Sequence, residues 1–88
     1  MDWTKYGLVI ASKYRTNVLL SLMDSNKTPK QIANENKYYL SHVSNTLKEL
    51  EKIGAIECLT PELRKGKIFK ITSIGKDIIS EIKTHKSD

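Results

Sequence analysis

The segment over residues 28–54 constrains the fold most, because its start and stop signals define two successive helices. Thr28 can accept a hydrogen bond from a free backbone N–H, and Pro29 suits the first position of a helix. Gln31 completes a capping box with Thr28. These signals predict a short helix over residues 29–36, followed by a polar turn.

A longer helix is predicted after that turn, over residues 39–53. Its residues Val43, Leu47 and Leu50 recur at helical spacing and therefore define a buried face. Gly54 follows at once and suits the left-handed residue that ends a helix. A short helix joined by a tight turn to a longer one is a helix-turn-helix unit.

The flanking segments predict one helix before this unit and a hairpin and a helix after it. An apolar stripe predicts the first helix over residues 7–23, and isoleucines at helical spacing predict the last over residues 73–83. Two strands are expected over residues 55–60 and 66–72. The stripe of the first helix comprises Leu8, Ala11, Tyr14, Val18, Leu19 and Leu22.

A basic, turn-rich loop over residues 61–67 joins the two predicted strands, and in this position it forms a wing. The resulting order is α-α-α-β-β-α, a mainly α fold with a small β-hairpin (α+β). We therefore predict a winged helix-turn-helix fold. Its 88 residues suit a single domain over residues 1–88.

Composition narrows the class of function. Fifteen Lys and Arg against ten Asp and Glu give a net charge of +5, which favours a polyanionic partner such as nucleic acid. Cys58 is the only cysteine, so neither an internal disulfide nor a zinc cluster is expected, and we predict no cofactor and no metal. We interpret Cys58 as a packed small hydrophobe rather than a redox switch.

The N-terminal sequence lacks the pattern of a signal peptide. The longest apolar run, over residues 8–11, is far too short to span a membrane. We therefore expect a cytoplasmic protein without a membrane partner.

Two sequence motifs resemble those of a known family. The stretch L-S-H-V-S-N-T-L-K-E-L-E-K-I-G-A-I at residues 40–56 looks like the recognition helix of bacterial and archaeal winged-helix transcription regulators of the ArsR and MarR type. The stretch F-K-I-T-S-I-G at residues 69–75 is similar to their Y-x-L-T-x-x-G motif. The resemblance implies a DNA-binding regulator, and the lysine- and isoleucine-rich composition suggests an archaeal-like member. One departure is Tyr38-Tyr39 where the family often has a capping Ser or Thr, so that either Asn36 caps the helix or the helix starts at a slightly different residue.

The outward face of the longer helix carries the candidate base-reading residues. This face is short, polar and basic, and a helix of this kind fits the major groove of B-DNA. Asn45 can pair with adenine, and Lys48 can reach guanine or phosphate. The alternative is a merely solvated helix face. The candidates are Ser41, His42, Ser44, Asn45 and Lys48, with His42 on the flank and open to a plain surface role.

Further candidates lie at the helix starts and in the wing. Lys30 and Gln31 begin the short helix, where they either bind a phosphate or serve as plain capping residues. Tyr38 and Tyr39 can each donate to a phosphate or pack. The wing contributes three cations for the DNA backbone or minor groove, unless it is only a solvated loop: Arg64, Lys65 and Lys67.

These observations together predict a sequence-specific double-stranded DNA-binding transcription regulator that is not an enzyme. We expect a homodimer, because the first and last helices offer more apolar area than a small monomer needs; alternatively the same residues close the core. A second hypothesis is a winged-helix module that binds protein instead of DNA. The expected dimer residues are Trp3, Tyr6, Ile78, Ile79 and Ile82.

Overall fold

Five helices and a two-stranded antiparallel hairpin follow one another in the computed structural model, which describes residues 2–86. The winged helix-turn-helix fold class is therefore confirmed. The elements are α1 (Trp3–Ile10), α2 (Lys13–Asp24), α3 (Pro29–Asn36), α4 (Leu40–Lys52), β1 (Ile56–Cys58), β2 (Phe69–Ile71) and α5 (Ser73–Lys86).

The single helix predicted over residues 7–23 is wrong, because the chain forms two helices there. Ser12 adopts an extended conformation and its hydroxyl accepts a hydrogen bond from the Arg15 N–H, so it begins α2 as an N-cap. The break changes the helical phase. As a result Val9 is buried, whereas Leu8 and Ala11 of the predicted stripe are exposed.

The short helix α3 has the predicted bounds and the predicted capping box. The Thr28 hydroxyl accepts from the Gln31 N–H, and the Gln31 side chain accepts from the Thr28 N–H. Lys37 then turns the chain with φ 57°, a left-handed conformation that is unfavourable for a residue with a Cβ. This turn directs the chain from α3 into α4.

Helix α4 begins one residue later and ends one residue earlier than predicted. Tyr39 is its N-cap residue and makes no side-chain capping bond. Asn36 is not the cap, because its amide donates to Ser21 Oγ and to the Ile32 carbonyl. Gly54 ends the helix as predicted, with φ 80°.

The strands are shorter than predicted. The ladder pairs Ile56 with Ile71 and Cys58 with Phe69. Beyond it the Leu59 N–H still donates to the Ile68 carbonyl, but the Ile68 N–H donates to the Thr60 hydroxyl, so regular pairing stops after this bond. Lys27 forms an isolated bridge to the other edge of Phe69, which attaches the segment before α3 to the hairpin.

The core lies between α2, the helix-turn-helix unit, the hairpin and α5, and Val9 of α1 also enters it. From α4 it receives the predicted face of Val43, Leu47 and Leu50. Ile78 and Ile79 of α5 are fully buried, so they belong to the core and are not available for the dimer contact expected of them. Helix α5 extends to residue 86, three residues beyond its predicted end.

Candidate nucleic-acid interface

Helix α4 presents a polar surface opposite its buried face. Because the helix repeats every 3.6 residues, burial of Val43 and Leu50 places Ser41 and Asn45 on the far side. Both are exposed, as is Lys48. Ser44 is half-buried and lies toward the edge of this surface. The structure thus brings Ser41, Asn45 and Lys48 onto one exposed side of α4, and it places Ser44 and His42 toward the edges of that side.

Aromatic rings fix the first turn of α4. The rings of Tyr14 and Tyr38 meet edge to face with centroids 4.7 Å apart, and the Asn17 amide donates to the Tyr38 hydroxyl. Tyr38 is therefore a packing residue. Tyr39 is 77% exposed, and its ring meets the His42 ring edge to face with centroids 5.7 Å apart. His42 also meets the Tyr14 ring, which holds this flank of α4 against α2.

The electrostatics of the same helix end suit an anion. Within the described chain, the first turn of α4 contains no acidic residue and has no side-chain cap. The opening N–H groups of a helix carry the positive end of its dipole. This turn can therefore receive a phosphate or another hydrogen-bond acceptor.

The α3 candidates have different roles in the structure. Gln31 Oε1 accepts a hydrogen bond from the Thr28 N–H at 2.9 Å, so this oxygen is used for helix capping. Lys30 is exposed in the first turn of α3 and is free to approach an anion.

The wing is a loop over residues 59–68 between the two short strands. The Leu63 N–H donates to the Thr60 carbonyl at 3.1 Å, which bends the loop before its basic tip. Arg64 and Lys65 are exposed at this tip, whereas Lys67 is half-buried. The two exposed cations can bind the phosphate backbone.

A flank of α4 that the sequence analysis did not assign lies against the start of α2. Arg15 Nη2 pairs with Glu49 Oε2 at 2.7 Å. Next to this pair is a shallow depression of about 180 Å³, lined by Ser12, Tyr14, His42, Asn45, Thr46 and Glu49. Ser12 lies inside the helix predicted over residues 7–23, and serine is a residue type that favours helix N-caps. This was the sequence signal from which the start of α2 could have been predicted.

The described residues contain no group of three or more His, Cys, Asp and Glu side chains that could hold a metal ion. Among these same residues no helix is both long and apolar enough to cross a membrane. Cys58 is half-buried and packs against the core, which supports the interpretation of a small hydrophobe.

No family model and no curated protein matches the chain. Among solved structures it is similar to NMB1585, a MarR family regulator from Neisseria meningitidis (TM-score 0.75, 23% identity, 86% of this chain and 55% of that one). It is also similar to the homodimeric winged helix-turn-helix domain of Mb0332 from Mycobacterium bovis, a possible ArsR-family regulator. The TM-score is 0.78 and the sequence identity 16%, over 96% of this chain and 77% of that one. A third similar structure is the reduced form of the transcriptional regulator YodB from B. subtilis. Its TM-score is 0.75 and its sequence identity 22%, over 90% of this chain and 79% of that one.

These identities all lie below 25%, so the similarity establishes a shared winged helix-turn-helix fold. The chain spans only 53–57% of the length of AdcR, NMB1585 and ZitR.

Proposed function

We propose that the chain is a sequence-specific double-stranded DNA-binding transcription regulator that acts through one winged domain. The observation that carries this proposal is the exposed polar side of α4, with Ser41, Asn45 and Lys48 on a rigid helix. The net charge of +5 and the solved regulators with the same fold support it.

In the proposed complex α4 lies in the major groove. Asn45 can form two hydrogen bonds with adenine, and Lys48 can donate to guanine or phosphate. Lys30 and Tyr39 lie at the starts of α3 and α4, where they can bind phosphates on either side of the groove. Arg64 and Lys65 of the wing bind the backbone or the minor groove.

We further propose a homodimer, with α1 at its interface. Trp3 and Ile10 of α1 are 58% and 49% exposed, and Ile74 at the start of α5 is 38% exposed. The solved Mb0332 domain is described as homodimeric. A dimer would place two α4 helices about 34 Å apart on an inverted repeat. Sedimentation should show a dimer that Trp3→Ala and Ile10→Ala weaken; a monomer at all concentrations would contradict this assembly.

A winged module that binds protein is the second candidate. Two wing leucines, Leu59 and Leu63, are 44% and 42% exposed, and exposed apolar residues suit a protein partner. The polar, basic surroundings of α4 favour DNA over this candidate.

Binding to a random-sequence duplex across a salt series separates the two candidates. DNA binding predicts a log–log slope of about −0.9 for each phosphate contact. Absence of binding at low salt would exclude the DNA-binding function.

Two variants then test the assigned roles. Asn45→Ala should relax sequence preference, whereas Lys65→Ala should weaken binding to all sequences alike. Lys76→Ala removes an exposed charge from α5 and serves as the matched control with little effect. Equal losses from Asn45→Ala on every sequence would show that Asn45 does not read bases.

A further inference from the structure

Leu40, the first residue of α4, has an apolar side chain that the core does not cover. It continues the stripe of Val43 and Leu47 at helical spacing, and this pattern is typical of a buried position. Val43 is fully buried, but Leu40 is 51% exposed because it lies beyond the edge of the core. Its neighbour Tyr39 is also exposed. The start of α4 thus combines an apolar surface with the polar side described above.

The surroundings of Leu40 favour DNA over an apolar protein surface as the partner. Ser41 follows it on the exposed side of α4, and Lys37 is exposed in the turn before it. No acidic residue lies in this first helical turn, which is entirely within the described chain. A helix that enters the major groove contacts base edges mainly with its N-terminal residues, and Leu40 is the first of these.

A leucine side chain has no donor or acceptor, so it can distinguish base pairs only through an apolar group. In the major groove that group is the C5-methyl of thymine. We propose that Leu40 determines specificity for thymine by packing on this methyl group. This inference rests on the proposed DNA-binding function and assigns a chemical preference to one residue of that site.

The experiment begins with a duplex selected from a random pool by the wild-type protein. Each thymine is then replaced singly by deoxyuridine, which removes the methyl group and keeps the base pairing. Wild-type protein should lose about fourfold in affinity at one or two positions, the factor expected for burial of one methyl-sized group. Leu40→Ala should bind the thymine and deoxyuridine duplexes equally.

Two further variants serve as controls. Leu40→Met keeps an apolar side chain and should keep the thymine preference. Met23→Ala truncates an exposed apolar side chain of α2, outside the proposed DNA-binding residues, and should leave the preference unchanged. Circular dichroism checks that each variant is folded, which we expect because Leu40 is half-exposed.

The possible failures are distinguishable. If no duplex is bound, the proposed function itself fails. If a duplex is bound but deoxyuridine has no effect at any position, or Leu40→Ala retains the preference, only the role of Leu40 is overturned.

Discussion

Arg15 Nη2 lies 2.7 Å from Glu49 Oε2, and this ion pair joins the first turn of α2 to the outer flank of α4. The same guanidinium donates through Nη1 to the Leu8 carbonyl near the end of α1. One side chain therefore connects three helices. It also neutralises the Glu49 carboxylate, which lines the depression beside Asn45.

We expect Arg15→Ala to lower the free energy of unfolding by about 1–2 kcal/mol, because it removes a carbonyl hydrogen bond, an ion pair and side-chain packing. Glu49→Gln should cost at most about 1 kcal/mol, since Glu49 is nearly half-exposed and solvent screens the pair. Urea denaturation measures both changes. Lys13→Ala, an exposed change in the same turn, is the control, and an equally large effect there would contradict the role of Arg15.

Lys37→Gly should stabilise the protein by about 0.5–1 kcal/mol, because glycine adopts the left-handed conformation at φ 57° without a Cβ penalty. Lys37→Ala removes the same charge but keeps the strain, so it separates the two effects. Thermal unfolding of the three proteins is the measurement. Equal stability of the glycine and alanine variants would show that the turn is not strained.

Gly75→Ala should destabilise the protein by about 1–3 kcal/mol, although alanine favours helices. A Cβ on Gly75 would clash with the Ala55 carbonyl oxygen and would lie 2.6 Å from Ile71 Cγ1, so α5 could not stay in place. Gly7→Ala is the matched control in α1, where a Cβ meets nothing within 4 Å in the chain. Chemical denaturation should show the control unchanged or more stable; a stabilised Gly75→Ala would refute the close approach.

Thr72→Val should cost about 1–2 kcal/mol, because the Thr72 hydroxyl donates to the Gly54 carbonyl and accepts from the Gly75 N–H. This hydroxyl links the end of α4 to the start of α5. Thr72→Ser keeps the hydroxyl and should lose much less. Urea denaturation measures both changes, and a loss in Thr72→Ser as large as that in Thr72→Val would contradict a dominant role of the hydroxyl.

These contacts explain the threonine and the glycine of the stretch at residues 69–75. From the sequence alone the stretch was recognisable only by its resemblance to a known family. In the structure Thr72 bonds α4 to α5, and Gly75 allows α5 to approach the chain at Ala55. A hydroxyl at position 72 and a missing side chain at position 75 therefore both contribute to the packing of α5 against the rest of the domain.

Elements whose signals are local could be predicted from the amino-acid sequence. The bounds of α3 and the termination of α4 at Gly54 follow from hydrogen bonds among residues a few positions apart. The buried face of α4 was also predictable, since its spacing is helical.

Which apolar residues are buried depends on how the helices and strands pack against one another. Ile78 and Ile79 proved to be core residues and Leu40 an exposed one, although all three lie in apolar stripes. Periodicity shows that a helix has an apolar side, but it does not show where the neighbouring element ends. The pairing of Arg15 with Glu49, 34 positions apart, likewise depends on how α2 and α4 pack. Burial and long-range pairing arise from contacts between elements, and no local pattern encodes them.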